Sequence, residues 1–340
     1  IYNTSLSFTE KKDDRKCRAI FVGESSDFIL DNSIISNFTI NNAVGGSLYY
    51  TLSNTKLQHI INIINSVFVN NSGSKCVELY LNVYEDPVIK NCTFINQYIS
   101  SDLIILDYSN PAIAARNTII FDQIHCIDSS FNGNKVLTIK NSNEQLTMNE
   151  IILDHCQLIN NKDLVFASLK DPKLTINGSL FQENLVENHL FFINSGKETL
   201  ITDSTFKGNK YKATNGATVD EITVIDIDYS DDFIISNSLF KDEISSVEGQ
   251  NEKHGFILKT SDVNLFLKNV SFINCSTFKH AVFISLNDAT ETKQQEKNIF
   301  SFNDCSSDKG GNIFVDKKLS RIQVCNSTLK NLINGLTYLP

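Results

Sequence analysis

The sequence predicts an all-β chain, a right-handed parallel β-helix of about eleven coils, and three observations carry that expectation. A short pattern returns along almost the whole 340 residues, apolar runs with period-two alternation lie between its returns, and like residues recur at like places within it. The pattern is clearest at Asn65-Ser66-Val67-Phe68-Val69-Asn70-Asn71, which reads polar, small, any, large apolar, any, any, Asn.

Taking the large apolar residue as a marker, Ile40, Phe68, Phe94, Phe131, Leu158, Phe181, Phe206, Phe240, Phe272, Phe302 and Leu329 stand as equivalent positions. Subtracting neighbours gives steps of 23 to 37 residues, a period that belongs to solenoids. What lies inside each period decides the kind of solenoid. Runs such as Cys76-Val77-Glu78-Leu79-Tyr80-Leu81, Leu137-Thr138-Ile139 and Ile222-Thr223-Val224-Ile225 are bounded by Asn, Asp, Ser, Gly and Lys, which is strand-and-turn punctuation rather than helical periodicity. Two or three such strands per period make one coil, and right-handed winding is the default for parallel crossovers. At about 4.8 Å between neighbouring strands, the stack would run on the order of 50 Å.

Parallel stacking places equivalent residues one above another. Three residues after the marker, Asn71, Asn134, Asn161, Asn184 and Asn209 coincide, with Cys275 and Cys305 in the same place later on. Asn tolerates left-handed corners, and its amide can bond the identical amide one strand away. The marker aromatics, Phe68, Phe94, Phe131, Phe181, Phe206, Phe240, Phe272 and Phe302, would stack in a dry interior. Residues 1–30 fall outside the pattern and read as an irregular N-terminal cap or first coil, with Glu10-Lys11-Lys12-Asp13-Asp14-Arg15-Lys16 a solvated turn. The β-helix then occupies residues 31–340 as one elongated domain, and its last repeat runs close enough to Pro340 that it is expected to continue or to present an open edge there.

Composition agrees. Hydrophobic residues make up 41% of the chain, with 23 Phe to fill a continuous core, while 40 Asn serve corners and only 4 Pro interrupt ladders. The net charge of −9, with Lys and Arg scattered and no basic stripe, excludes nucleic acid and anionic membranes as expected partners. No apolar run is long enough for a membrane-spanning helix.

The compartment is read from two features together. Asn-x-Ser/Thr sequons occur at Asn3, Asn37, Asn70, Asn91, Asn177, Asn269, Asn274 and Asn326, and most of them lie in or beside the pattern, where some side chains are expected to point inward and carry no glycan. Eight cysteines accompany them. If Cys275 and Cys305 share a column in consecutive coils, their Cα atoms lie within disulfide range, the alternative being stacked buried thiols. Cys17, Cys76, Cys92, Cys126, Cys156 and Cys325 show no zinc-type spacing, so no metal is expected. Disulfides between coils would place the chain outside the cell or on its surface.

Two stretches add a resemblance. Ile40 to Tyr50 and Phe302 to Val315 each carry a marker, a polar turn, a Gly pair and a strand. With Phe68 and Asn71, Phe131 and Asn134, Phe181 and Asn184, and Phe206 and Asn209 matching Phe-x-x-Asn, the chain resembles the repeats of the polymorphic outer membrane protein family. The Gly45-Gly46 and Gly310-Gly311 pairs match the second half of that signature, although Ser47 and Asn312 replace its apolar residue. The resemblance covers residues 31–331 and implies a β-helix of the pectin lyase-like kind, as found in surface proteins of protists and bacteria that are adhesive or structural.

Insertions at residues 95–130, 207–239 and 241–271 are the expected carriers of specificity, because loops leaving a rigid stack tolerate length. Asp226-Ile227-Asp228-Tyr229-Ser230-Asp231-Asp232 has the carboxylate density of a calcium site but no Gly-containing loop, so the expectation is a solvated acidic strand. A polygalacturonase-like order, Asn117-Thr118-Ile119, Asp231-Asp232, Lys253-His254-Gly255 and Arg321-Ile322-Gln323, lacks the first Asp and the last Lys. Glycoside hydrolysis needs paired carboxylates at a fixed separation, which this set does not supply. A lyase would gather basic residues, yet Arg15, Arg18, Arg116 and Arg321 are dispersed, and His125, His155, His189, His254 and His280 stand without a nucleophile partner. The expected function is that of a non-enzymatic, cofactor-free, extracellular or cell-surface structural or adhesive module. Its partners would be copies of itself in filaments, other surface proteins, or glycans. The alternative is a glycan-binding or polysaccharide-cleaving β-helix.

Overall fold

The computed structural model describes residues 1–7, 19–23, 27–40, 47–51, 59–73, 75–81, 87–108, 118–131, 135–141, 150–154, 156–159, 161, 167–170, 173–187, 189–194, 198–212, 222–245, 255–277, 284–287, 299–303, 306–307, 313–315, 321–325 and 332–334. Among these residues the regular elements are all strands and none is helical. The chain divides into two compact units, Ile1–Ala167 and Ser168–Pro340. Both are built from strands that pair in parallel with the corresponding strand of the repeats before and after.

In the first unit the register runs Leu30, Ile63, Ile89, Phe121 through one row of pairs and Ile35, Phe68, Phe94, Cys126, Leu158 through the next. A five-stranded parallel sheet joins Ile20–Val22, Leu48–Tyr50, Val77–Tyr80, Ile104–Tyr108 and Leu137–Asn141, and a three-stranded one joins Thr39–Ile40, Ser72–Gly73 and Tyr98–Ile99. Ser5–Ser7 already pairs in register with Ile34–Ser36, so residues before 30 carry strands of the same ladder. In the second unit Leu174, Thr199, Phe233, Leu265 form one inward row and Phe181, Phe206, Phe240, Phe272 another. A short four-stranded sheet there joins Leu185–Glu187, Lys210–Lys212, Ile244–Ser245 and Ser276–Thr277.

Alternation explains which residues face inward: in Ile61–Ile64 and Lys173–Asn177 every second side chain is buried and its neighbours are not. The marker aromatics fill the resulting interior. Phe68 and Phe94 stack at 4.7 Å, Phe181 and Phe206 at 4.8 Å, Phe206 and Phe240 at 4.6 Å, and Phe240 and Phe272 at 5.1 Å between ring centroids, all within 14° of parallel. That spacing is the strand-to-strand distance transmitted to side chains that share a rotamer.

Three markers are corrected by the register. Phe68 pairs with Ile35, not Ile40, which lies opposite Gly73. Phe94 pairs with Cys126, and Phe131 sits five residues further on, buried beside the next short sheet. Phe302 lies opposite Leu267, while the partner of Phe272 is Ser307. The reason is the same each time: a repeat carries apolar positions five residues apart on either side of a corner, both buried at Cys126 and Phe131 and at Leu267 and Phe272, and a large residue in one mimics a large residue in the other. Cys126 in a ring's place also leaves a small apolar cavity, lined among others by Phe121, Ile124, Cys156 and Leu158. Asn134 and Leu329 lie outside the described residues.

Phe206 is sandwiched between two rings and fully buried. Phe206→Ala is expected to destabilise the protein by about 3–5 kcal/mol, read from the urea midpoint; a loss below about 1 kcal/mol would show that the ring stack does not hold this unit.

Candidate functional site

Two columns of left-handed residues bracket the marker strand. Asn3, Asn32, Asn65, Asn91 and Gln123 form one in the first unit, with φ between 48° and 56°, and Asn37, Asn70, Asn96 and Asp128 form the other. In the second unit the corresponding positions are Gly178, Asp203, Asn237 and Asn269, then Glu183, Gly208, Asp242 and Asn274. Residues with short polar side chains, and glycine, take this conformation at least cost. Their amides stack outside the sheet: Asn91 Nδ2 donates to Asn65 Oδ1 at 2.9 Å, Asn96 to Asn70 at 3.1 Å, and Asn269 to Asn237 at 3.0 Å.

These corners hold most of the sequons. Asn3, Asn37, Asn70, Asn91, Asn269 and Asn274 are all exposed, so none of the described sequons within the pattern, Asn37, Asn70, Asn91, Asn269 and Asn274, points inward. A left-handed corner turns its side chain out of the pleat, and the flanking small and polar residues point in instead. Asn177 is half-buried and accepts a 2.8 Å bond from Thr202 Oγ1. Asn326 lies outside the described residues.

The polar residue three places after the marker does point inward. Asn71, Gln97, Ser129 and Asn161 form this column in the first unit and Asn184, Asn209, Glu243 and Cys275 in the second, each at most 1% exposed. Buried amides must be satisfied, and here they bond the backbone one repeat back. Asn71 Oδ1 accepts from Phe38 N–H at 3.0 Å while its Nδ2 donates to Ile35 C=O at 3.1 Å. Asn161 repeats the arrangement with Ser129 N–H and Cys126 C=O, and Asn209 with Asn184 N–H and Phe181 C=O.

Glu243 interrupts the amides. Its Oε1 accepts from Asn209 Nδ2 at 2.9 Å and Asn209 N–H at 3.3 Å, and its Oε2 from Tyr211 Oη at 2.8 Å. Burial pushes the Glu243 carboxyl up to about 8; the Tyr211 and Asn209 donors pull the other way, and Asp242 adds to the rise. Burial, and after it the charge of Glu243, holds the Tyr211 hydroxyl well above its ordinary value.

Cys76, Cys92, Cys126, Cys156 and Cys275 are buried thiols, none of them in a disulfide. The Cys275–Cys305 column expected from the sequence turns on a residue outside those described. Cys305 itself, like Cys17, is outside the described residues. Cys275 Sγ instead donates to Phe240 C=O at 3.4 Å, in the manner of the ladder amides. Cys92 stands where other repeats have Ser33 and Ser66 and donates to Ile63 C=O at 3.3 Å. Burial pushes the thiols of Cys92 and Cys126 up to about 12 and raises that of Cys76 as well.

Asp226 is fully buried within the continuous strand Ile222–Ser236, which corrects the expectation of a solvated acidic stretch there. Asp232, half-buried, accepts from Asn264 Nδ2 at 3.0 Å. Among the described residues no three His, Cys, Asp or Glu side chains are grouped to hold a metal, and no helix is long and apolar enough to cross a membrane. His125 and His189 stand in separate units, while Asn117, His155, His254, His280 and Arg116 lie outside the described residues. Glu243 was legible all along: Asp242-Glu243 follows Phe240 as Asn70-Asn71 follows Phe68, once Glu is admitted in the amide position. No family model matches this chain, and no curated protein matches it either.

Two outcomes follow from the ladder. Asn209→Ala, which removes the side-chain partner of Asn184 N–H and Phe181 C=O, is expected to cost about 2–3 kcal/mol in urea denaturation; a neutral result would mean the ladder is not structural. The five thiols are expected to resist iodoacetamide at pH 8 in the native protein and to react on unfolding, followed by peptide mass spectrometry. Native labelling at the rate of a free thiol would contradict their burial.

Proposed function

We propose that the chain is an extracellular structural or adhesive module, a right-handed parallel β-helix of about eleven coils that associates with further copies of itself or with other surface proteins. One observation carries the reading: six sequon asparagines stand exposed at left-handed corners, each open to a glycan that would leave the sheet interior undisturbed. A glycan bonded to Nδ2 retains one N–H, so a corner amide can be modified and still donate to its neighbour. The reading does not rest on disulfides, and buried thiols with little thiolate at neutral pH are compatible with an oxidising compartment.

Parallel pairing between repeats of similar sequence supports the architecture. Residues that share a column satisfy one another, a property of stacks that grow by adding units. The Phe-x-x-Asn columns resemble the polymorphic outer membrane protein type of repeat, and its adhesive or structural role is the one proposed here.

Expression through a eukaryotic secretory pathway, followed by intact-mass analysis with and without deglycosylation and by electron microscopy, tests this. A mass shift localised to Asn37, Asn70, Asn91, Asn269 or Asn274, with rods or fibres in the images, is the expected result. A secreted chain bearing no glycan at any of these corners would overturn the extracellular reading.

A further inference from the structure

Glu243 is the one acidic residue in the second unit's interior column of Asn184, Asn209, Glu243 and Cys275, and it is fully buried. Among the described residues the groups that face it are few. From the preceding repeat come Asn209 and the Tyr211 hydroxyl, the following repeat supplies the Cys275 thiol, and Asp242 is its neighbour along the chain. None of these is a cation. As a carboxylate, Glu243 accepts three hydrogen bonds with no opposite charge to offset its burial.

We propose that Glu243 is a proton-operated latch in the fold: taking up a proton tightens the Asn184–Asn209–Glu243–Tyr211 ladder, and releasing it loosens that ladder. A proton on Oε2 reverses one contact, so that the carboxyl O–H donates to Tyr211 Oη, while Oε1 keeps both Asn209 donors. The oxygen-to-oxygen contact is kept with its direction reversed, and the buried charge is gone. Gln97, which fills the same column in the first unit and donates to Phe68 C=O at 3.0 Å, shows that a neutral side chain of this length fits the position.

The direction is set by linkage. The carboxyl titrates at 4.5 in its ordinary state and at about 8 in the fold, so between these values the folded chain holds a proton that the unfolded chain has lost. The stabilisation is complete below 4.5 and is lost as pH rises through about 8. The second unit would thus be tightest in mildly acidic surroundings and loosen in alkaline ones.

Hydrogen exchange of the full chain at pH 5.5, 7 and 8.5, read as protection factors for peptides spanning 205–245, tests the latch. Wild-type protection there is expected to fall about tenfold or more from the lowest to the highest pH, with peptides spanning 61–95 of the first unit as an internal reference. Glu243→Gln is expected to abolish the fall and to be the better protected protein at pH 8.5. Tyr211→Phe, which removes a donor from the anion, is expected to deepen it. A flat wild-type profile, an equal fall in Glu243→Gln, or a Tyr211→Phe profile identical to wild type would each overturn the proposal.

Discussion

In-register parallel hydrogen bonding between successive repeats is the constraint on which the rest of this structure depends. Once the backbone of one repeat pairs residue for residue with the next, every side chain has its counterpart about 4.8 Å away. Rings then stack face to face, as along Phe181, Phe206, Phe240 and Phe272. Amides chain together for the same reason, both at the exposed corners and inside. A residue suited to its column is stabilised by a similar residue above and below, which is why the chain repeats itself chemically even where its loops differ in length.

The interior polar column shows what that constraint demands. A buried backbone N–H and C=O at each corner need partners, and a side chain from the next repeat supplies both. Asn does so most simply. Gln97 reaches Phe68 C=O and Ile95 C=O, Ser129 accepts from Gln97 N–H, and Cys275 donates a thiol to Phe240 C=O. Cys92 and Cys275 are therefore members of the same set as the serines and asparagines of their columns: small polar donors. The number of cysteines invited a disulfide reading, but the positions of these two follow the ladder.

Much of this was legible in the residues. Period-two runs and Asn-rich corners announce parallel strands without helices, and the marker-x-x-Asn spacing by itself gives Asn71, Asn161, Asn184 and Asn209 the same place in their repeats, where each is buried. The errors were local and had one cause. Ile40, Phe131 and Phe302 are large apolar residues five positions from the residue that the register pairs with the marker column, and sequence spacing cannot tell the two positions apart when the register residue is Ile35, Cys126 or Ser307. The sequons were found by motif, yet which way they faced depended on backbone conformation at the corner.

Sequence alone determined the class of element, the parallel pairing of like with like, and the residue types of corner and core, because these follow from local alternation and from the chemistry of Asn, Gly and Phe. Tertiary structure decided register, and with it which residues share a column. A shift of a few residues is nearly invisible in a repetitive sequence, but it changes every partner across the ladder. Register put Cys126 under Phe94 and buried Glu243 against Tyr211 and Asn209, and backbone conformation turned the sequon corners outward. The burial of that carboxylate depends on what stands one repeat away, and no stretch of the sequence read by itself contains it.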